Sequence, residues 1–211
     1  MDAKRLVPVL HVLEGRVVDP ADAADLGAPI DWARRLELEG ADGLLFVELG
    51  RGRRLRQAWM LDVARALFLP FALEAPFQDP AELQEALEDG ADRVVLPARD
   101  LDALDAARFG RARITASLEA AWSGGWDAAL EDLRNLGGAG EILLKAGDRH
   151  LADLCARAAH LPTPILLACS DPALAVEALA HGADGIAYPA ALMTAGAFKE
   201  RLEPAGIPLR R

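Results

Sequence analysis

Four side chains that can transfer protons or form a covalent bond each stand at the end of a different short apolar segment. They are His11, Glu48, Glu74 and Lys145. An imidazole group titrates near neutral pH, and a desolvated lysine beside carboxylates can form a Schiff base with a carbonyl substrate. The favoured interpretation of Lys145 is an ion pair with Glu48 or Glu74, because an unpaired buried charge is costly. These four residues are the candidate catalytic residues if the fold brings them together.

The elements that would position these residues are marked by a repeat. Residues 79–98 and 171–190 share eleven of twenty positions and begin 92 residues apart. Each copy begins with Asp-Pro, and we predict that Asp79 and Asp171 cap helices whose first residue is proline. Each copy continues to Gly-Ala-Asp before an apolar run, where the glycine would end the helix in a left-handed conformation. The repeat therefore predicts a unit of helix, tight turn and strand.

Weaker copies of the Gly-Ala-Asp signal precede two further apolar runs, at 40–47 and 138–144. Four more strands are predicted between these runs, at 6–12, 71–74, 114–118 and 165–169. Alternation of eight strands with helical patterns predicts a parallel α/β sheet, and recurrence by halves favours closure into a single (β/α)8 TIM barrel. We expect half-barrels of about 1–110 and 111–211. An open doubly wound sheet is the alternative, but it has no reason to repeat by halves.

The composition argues against several classes of protein. A net charge of −10 over 211 residues argues against general nucleic-acid binding, which needs a positive surface. No run approaches the roughly 18 apolar residues of a membrane span, and the first ten residues do not resemble a signal peptide. We therefore expect a soluble, cytoplasmic chain without nucleic-acid or membrane partners. The two cysteines and four scattered histidines form no metal motif, so neither a metal nor a cofactor is predicted.

Two local features near predicted strand ends could contact a ligand. The basic run 51–56 follows the second strand and could bind an anion, although a solvated helix start is the favoured interpretation. Trp122 and Trp126 flank Ser-Gly-Gly after the fifth strand, where they could stack on a ligand or cover the barrel top. Neither feature identifies a ligand.

Residues 3–18, AKRLVPVLHVLEGRVV, and residues 138–144, GAGEILL, resemble the first and sixth strand regions of the histidine-biosynthesis barrels. This family contains the cyclase subunit of imidazole glycerol phosphate synthase and a related ribotide isomerase. With Leu-Pro-Phe at 69–71 and both Gly-Ala-Asp turns, the resemblance extends over about residues 3–200. It implies a (β/α)8 barrel with half-barrel symmetry. It also implies a lyase or isomerase reaction wherever the family's site is intact.

The resemblance further implies where the catalytic residues belong. In the family, two aspartates at the carboxyl ends of strands one and five act as acid and base, and their matches here are His11 and Leu118. Glu119 is adjacent, but alternation along a strand predicts that it points to the opposite face. A lysine of the family's first loop is matched by Asp19, and an aspartate of the sixth loop by His150. We therefore expect the family's catalytic set to be lost.

The family's phosphate-binding segments are also altered. Relatives hold a substrate with two phosphates through glycine-rich turns after strands three and seven and helix N-termini after strands four and eight. The matching turns here read Glu-Ala-Pro-Phe at 74–77 and Cys-Ser-Asp-Pro at 169–172, without glycine. The helix starts read Pro-Ala at 97–98 and 189–190, and each proline lacks an N–H donor. We expect that no phosphate-binding site is retained.

Three charged residues match a ring that the cyclase carries at the opposite, amino-terminal face of its barrel. Arg5, Arg93 and Glu141 correspond to three members of the ring, and Gly43 stands at the fourth position. In the cyclase this ring surrounds the entrance through which ammonia arrives from a glutaminase partner. The favoured interpretation is that the charges close the barrel bottom and stabilise it. Docking of a glutaminase-like protein partner is the alternative.

These observations lead to one functional hypothesis and two alternatives. The leading hypothesis is a divergent paralogue that has lost the cyclase reaction. It is either a non-catalytic interaction protein, that is a pseudoenzyme, or a barrel that binds a different small molecule at the carboxyl ends of its strands. The first alternative is a repurposed, aldolase-like lyase that uses Lys145 with Glu48 or Glu74 on a small carbonyl substrate. The second is a histidine-biosynthesis cyclase that works through shifted residues such as Glu119.

Overall fold

A computed structural model describes residues 3–50, 53–119, 138–145, 155–156 and 160–209, with the backbone alone at 53–55. The strands of these ranges, in chain order, are β1 (Arg5–Leu13), β2 (Arg16–Val18), β3 (Asp25–Gly27), β4 (Leu44–Glu48), β5 (Phe71–Glu74), β6 (Arg93–Pro97), β7 (Ile114–Glu119), β8 (Glu141–Lys145), β9 (Ile165–Ala168) and β10 (Gly185–Pro189). Eight of them, β1 and β4 to β10, pair in parallel and close into a barrel because β10 pairs with β1. The predicted (β/α)8 barrel is confirmed.

The described α-helices follow individual barrel strands. They are α1 (Pro29–Leu38), α2 (Arg53–Ala66), α3 (Pro80–Glu88), α4 (Pro172–Ala180) and α5 (Ala195–Leu202). Between β6 and β7 the chain forms three short 3-10 helices, at 98–100, 106–109 and 111–113, instead of the α-helix that the alternation predicts. Asp105 and Gly110 interrupt this segment because both adopt positive φ, at 47° and 83°.

The Asp-Pro and Gly-Ala-Asp signals of the repeat have the predicted local structure. The Asp79 carboxylate accepts hydrogen bonds from the N–H groups of Ala81 and Glu82 at the start of α3, and the Asp171 carboxylate accepts one from the N–H of Ala173 at the start of α4. Gly90 lies at φ 117°, in the region that favours glycine. The helix ends are therefore specified locally by residue type.

The aspartate of each Gly-Ala-Asp has a function that the repeat alone did not reveal. The Oδ2 atom of Asp92 accepts a hydrogen bond of 2.9 Å from the N–H of Phe71, the first residue of the preceding barrel strand. The same contact, at 2.8 Å, joins Asp42 to Leu6 and Asp184 to Ile165. Each copy thus fastens the start of one strand to the start of the strand beside it.

Alternating side chains of the strands enter two separate cores. The barrel interior is filled by Val7, Leu45, Val95, Leu143, Leu166 and Ala187. The larger core lies between the strands and the helices and includes Leu10, Phe46, Leu118 and Phe198. Along β1 the interior positions therefore continue from Val7 towards His11, and along β4 from Leu45 to Val47.

An antiparallel hairpin that we did not predict extends the sheet beyond the carboxyl end of β1. β2 pairs with β1 through His11 and Val18, and β3 pairs with β2. Arg16 on β2 forms an exposed ion pair with Asp25 on β3. The hairpin places residue 19 beside the carboxyl-terminal end of the barrel, which we call the mouth.

Within the described ranges, no helix is long and apolar enough to cross a membrane.

Candidate functional site

The barrel mouth contains a cavity of about 470 Å³. Three of the four predicted site residues, His11 on β1, Glu74 on β5 and Lys145 on β8, line it together. They come from different strands because the carboxyl ends of parallel strands converge on one face of a barrel. The remaining wall consists of Val9, Leu45, Val47, Leu143, Ala168, Cys169, Ser170, Ala187 and Pro189.

Lys145 and Glu74 form an ion pair across the mouth. Lys145 Nζ donates a hydrogen bond to Glu74 Oε1, and both side chains are mostly buried. Glu74 Oε2 is also buried, yet it accepts no hydrogen bond from the described residues. The predicted pairing of Lys145 with Glu74 is therefore present. Within the described part of the chain, one oxygen of the Glu74 carboxylate has a donor and the other has none.

His11 lies in the same wall, where its surroundings favour the neutral form. Burial lowers the pKa of the imidazole below its ordinary value of 6.5. The Glu74 carboxylate raises the pKa of His11 in opposition, Lys145 lowers it further, and Asp19 raises it. A neutral imidazole in a cavity can accept a proton, so His11 is chemically suited to act as a base near neutral pH.

Glu48, the fourth predicted site residue, does not line the mouth cavity, and the expectation that it would is wrong. The interior positions of β4 are Leu45 and Val47, so Glu48 points to the outside of the barrel. There it accepts a hydrogen bond from Arg56 Nε of α2, and both side chains are buried. Burial raises the pKa of Glu48, while the Arg56 guanidinium lowers it. The pair fastens α2 to the barrel wall.

Helix α2 begins at Arg53, within the basic run 51–56, as the interpretation as a helix start predicts, but Arg56 is not solvated. Residues 51 and 52 and the side chains of 53–55 lie outside the described part of the chain. Arg56 itself is buried, paired with Glu48, and lies 5.4 Å from the ring centre of Phe77. Because Arg56 is buried and paired with Glu48, it is not available to bind an anion.

Glu119 faces the barrel interior, contrary to the alternation that we inferred from the sequence. β7 pairs in register with β8 through Thr115 with Glu141 and through Glu119 with Lys145. Residues paired in register on neighbouring strands point to the same face, and Lys145 points into the mouth. Leu118 instead belongs to the outer core. Counting by twos from a polar residue inside the strand, Thr115, would have assigned Glu119 correctly.

Three backbone donors near the turns that match the family's phosphate-binding segments are paired within the protein. After β10, the N–H of Ala190 donates to the carbonyl of Val9, and after β9, the N–H of Cys169 donates to Ala187. After β5, the N–H of Phe77 donates to Ala75. These groups are unavailable to an anion, because a donor already paired in the protein offers little to a phosphate.

The two cysteines differ in their position relative to the mouth. Cys169 lines the cavity, and its Sγ atom lies 3.2 Å from the carbonyl oxygen of Asp171, to which it donates. Cys155 is fully buried, and burial raises the pKa of its thiol to about 11. Neither cysteine forms a disulfide bond. Among the described residues no group of three potential metal ligands comes together.

The opposite end of the barrel, which we call the bottom, contains the three predicted charged residues. Arg5 donates to Glu141 Oε1, and Thr115 donates to Glu141 Oε2 at 3.2 Å. Arg93 Nη1 lies 3.4 Å from the same Oε2, which is an ion-pair distance without hydrogen-bond geometry. Beside this cluster lies a cavity of about 140 Å³, and Gly43 is one of the residues that line it.

Other predicted features fall outside the described residues. These are the tryptophan pair at 122 and 126 and His150, which matches the aspartate of the family's sixth loop.

The fold and the mouth together define a (β/α)8-barrel protein with a polar site at the carboxyl ends of its strands. The model of the family described as "Histidine biosynthesis protein" matches residues 5–148. The chain is 30% identical to the imidazole glycerol phosphate synthase subunit HisF of Thermococcus gammatolerans, with 100% of this chain and 99% of that protein covered. It is 30% identical to the subunit HisF of Solibacter usitatus over the same shares. The chain therefore belongs to the histidine biosynthesis protein family.

A solved structure with a similar fold supports the architecture alone. A dihydropteroate synthase from Coxiella burnetii, in complex with pteroic acid, superimposes with a TM-score of 0.74 and 15% identity, covering 98% of this chain and 93% of that chain. At this level of identity the similarity concerns the barrel and carries no function.

Proposed function

We propose that this chain is a HisF-like barrel that has exchanged the phosphorylated cyclase substrate for a small, unphosphorylated ligand bound at the mouth. The observation that carries the proposal is the cavity in which His11, Glu74 and Lys145 meet. The N–H groups of Cys169 and Ala190 also support it, because both donate to backbone carbonyls and so do not donate to a phosphate.

Each residue of the mouth has a distinct chemical capacity. His11 accepts a proton, since its lowered pKa keeps the imidazole neutral near pH 7. Lys145 offers further N–H donors to a polar ligand group, and Glu74 orients its ammonium. A Schiff base would require Lys145 to leave this ion pair and lose a proton. The ion pair therefore favours Lys145 as a binding group over Lys145 as a nucleophile.

A direct test combines turnover with binding. We expect no turnover of the cyclase substrate with ammonium ions above the background of a His11→Gln variant. We also expect the ring resonances of His11, followed by NMR, to shift more with ethanolamine or ribose than with phosphoethanolamine or ribose 5-phosphate. Turnover above background, or stronger binding of the phosphorylated member of each pair, would overturn the proposal.

The aldolase-like alternative has its own experiment. Borohydride reduction in the presence of a panel of small aldehydes and ketones traps any Schiff base as a stable amine. Mass spectrometry then locates the adduct, with Lys145→Gln as the control. We expect no adduct at Lys145, and a specific adduct there would favour the lyase.

A retained cyclase is the second candidate, and the position of Glu119 favours it. Glu119 shares the interior face of Lys145 and could supply the second titratable group that Leu118 cannot. Complementation of a cyclase-deficient strain distinguishes this candidate from a changed ligand. Growth that depends on both His11 and Glu119 would support the cyclase.

We also propose that the bottom of the barrel docks a glutaminase-like partner, because the relatives are named as subunits of a synthase. Two exposed apolar side chains support this surface. Leu38 and Phe68 stand at neighbouring helix-to-strand connections at the bottom, where the N–H of Phe68 donates to Glu37. We expect Phe68→Asp to weaken co-purification with a co-expressed glutaminase subunit. The exposed mouth-side variant Asp22→Asn is the control, and equal co-purification of both variants would argue against docking.

A further inference from the structure

The mouth carries more negative than positive groups among the described residues. Glu74 lines the cavity, Glu119 shares the interior face, and Asp19 follows Val18, the register partner of His11. Lys145 is the one ammonium that faces them within the described residues. Burial lowers the pKa of His11, which disfavours a positive charge on this residue.

Glu74 supplies the second observation. Its Oε1 atom is engaged by Lys145, whereas its buried Oε2 atom accepts no hydrogen bond from the described residues. A buried carboxylate oxygen without a donor is costly, and a small rotation of the carboxylate would present it to the cavity. A ligand N–H placed there would remove the cost, which makes this oxygen a specific recognition point.

The remaining wall limits what else the ligand can be. Apart from Cys169 and Ser170, the other lining residues are apolar: Val9, Leu45, Val47, Leu143, Ala168, Ala187 and Pro189. Such a wall accommodates hydrocarbon rather than a densely hydroxylated molecule, because it offers few side-chain hydrogen-bond partners.

Resting on the proposed function, we propose that the ligand is an organic cation, namely a small ammonium compound with an apolar body. Its ammonium group lies against Glu74 Oε2, and its hydrocarbon part contacts the apolar wall. Glu119 and Asp19 attract the cation to the rim of the cavity. This class differs from a phosphorylated ligand in the sign of its charge, and from a sugar in its apolar surface.

The test compares isosteres that differ only in the head group. Butylamine and benzylamine are titrated into the full chain beside butan-1-ol and benzyl alcohol, and beside butyrate and benzoate, with affinity measured by NMR chemical shifts. We expect each amine to bind about tenfold to a hundredfold more tightly than its alcohol, as for a hydrogen bond to a charged group. We expect the carboxylates to bind least.

Variants connect the preference to the named carboxylates. Glu74→Gln should abolish the preference for amines, and Glu119→Gln should reduce it by a smaller factor. Glu200→Gln on α5 is the matched control, since it removes one exposed carboxylate far from the mouth in the fold and should leave the preference unchanged. Circular dichroism of each variant verifies that it is folded.

The outcomes separate this inference from the proposed function. Equal or tighter binding of the alcohols, no binding of either amine, or an amine preference that survives in Glu74→Gln would overturn the organic-cation assignment. Neutral unphosphorylated compounds that shift the His11 resonances would still support the changed-ligand barrel. Cyclase turnover or preferred binding of phosphorylated compounds would overturn the proposed function itself.

Discussion

The two ends of the barrel each hold a mostly buried carboxylate beside basic side chains, but they use it differently. At the bottom, both oxygens of Glu141 are engaged, one by Arg5 and the other by Thr115 and Arg93. At the mouth, Glu74 has one oxygen paired with Lys145 and one without a donor among the described residues. Both carboxylate oxygens of Glu141 at the bottom therefore have partners, whereas only one oxygen of Glu74 at the mouth has one among the described residues.

This difference indicates that one end of the barrel contributes to binding and the other to stability. In (β/α)8 barrels the carboxyl-terminal face carries function and the amino-terminal face carries stability. The Glu141 carboxylate, with partners on both oxygens, agrees with a stabilising bottom, and the unpaired oxygen of Glu74 beside a cavity agrees with a binding mouth. If the division is correct, substitutions of the buried charged groups at the bottom should change the free energy of unfolding, and substitutions in the wall of the mouth cavity should mainly change binding.

A third ion pair tests whether burial, rather than position along the barrel, decides the energetic effect. Glu48 and Arg56 lie near the mouth but outside the wall, and both are buried. Arg56→Met leaves the Glu48 carboxylate unpaired, so we expect the free energy of unfolding in urea at pH 7 to fall by about 3–5 kcal/mol. The double variant with Glu48→Gln should recover part of this loss.

The pH dependence of the same variant has a definite sign. Burial raises the pKa of Glu48 in the folded chain above its ordinary 4.5, so ionisation of this group opposes folding as the pH rises from 4.5 through the folded pKa. Removing Arg56 should strengthen that effect. The deficit of Arg56→Met relative to the original chain should therefore shrink at pH 4.5, and an equal deficit at both pH values would contradict this account.

Equivalent substitutions at the two ends provide the sharpest comparison. We expect Glu141→Gln to lower the free energy of unfolding by about 3 kcal/mol, because Arg5 and Arg93 would then face each other without a countercharge. Glu74→Gln should cost at most about 1 kcal/mol, because the Lys145 ammonium retains access to solvent. Urea denaturation measures both, and equal losses would remove the distinction between bottom and mouth.

A smaller effect is expected from His11 at the mouth. Its lowered pKa means that the unfolded chain takes up a proton near pH 6.5 before the folded chain does, so stability is lost as the pH falls. The unfolding free energy of His11→Gln should therefore fall less between pH 7 and pH 5 than that of the original chain. The difference should stay below about 1.4 kcal/mol per pH unit, the limit for one titrating group. An unchanged pH profile would argue against a buried neutral imidazole.

Thiol reactivity should show the smallest difference, and it reports on access to the mouth. Cys169 lines the cavity, whereas Cys155 is fully buried with a thiol pKa of about 11. We expect N-ethylmaleimide to modify Cys169 at least roughly tenfold faster in the folded chain, since the thiolate is the reactive form. Peptide mapping by mass spectrometry identifies the site, with Cys169→Ala as the control. Faster modification of Cys155 would mean that the cavity is closed.

Much of the fold follows from local signals. Asp79 and Asp171 cap helices because a short carboxylate can accept the first free N–H groups, whatever the rest of the chain does. Gly90 and Gly182 adopt the positive φ that the repeat predicts, for an equally local reason. The predicted division into half-barrels near residue 110 stays a prediction, because the helix caps and glycine conformations do not test it.

The site was predicted less completely, and the errors have one cause. Glu48 and Glu119 were both assigned to the wrong face of their strands. Side chains alternate every residue, so a strand read one residue out of phase exchanges its interior and exterior sets. Apolar runs buried on both faces, such as Leu-Leu-Phe-Val at 44–47, carry little contrast to fix that phase.

The sequence by itself determined the alternating elements, their caps, the closed barrel and the family, because each depends on residue types at short range or on a repeat along the chain. Only the tertiary structure decided which carboxylates meet which cations. Lys145 could pair with Glu48 or Glu74, and the barrel's register placed Glu74 opposite it while turning Glu48 outward to Arg56. The Lys145–Glu74 pair joins strands that are 71 residues apart in sequence, so it depends on strand phase and barrel closure. The Glu48–Arg56 pair is closer in sequence, but it too depends on the strand phase that turns Glu48 outward.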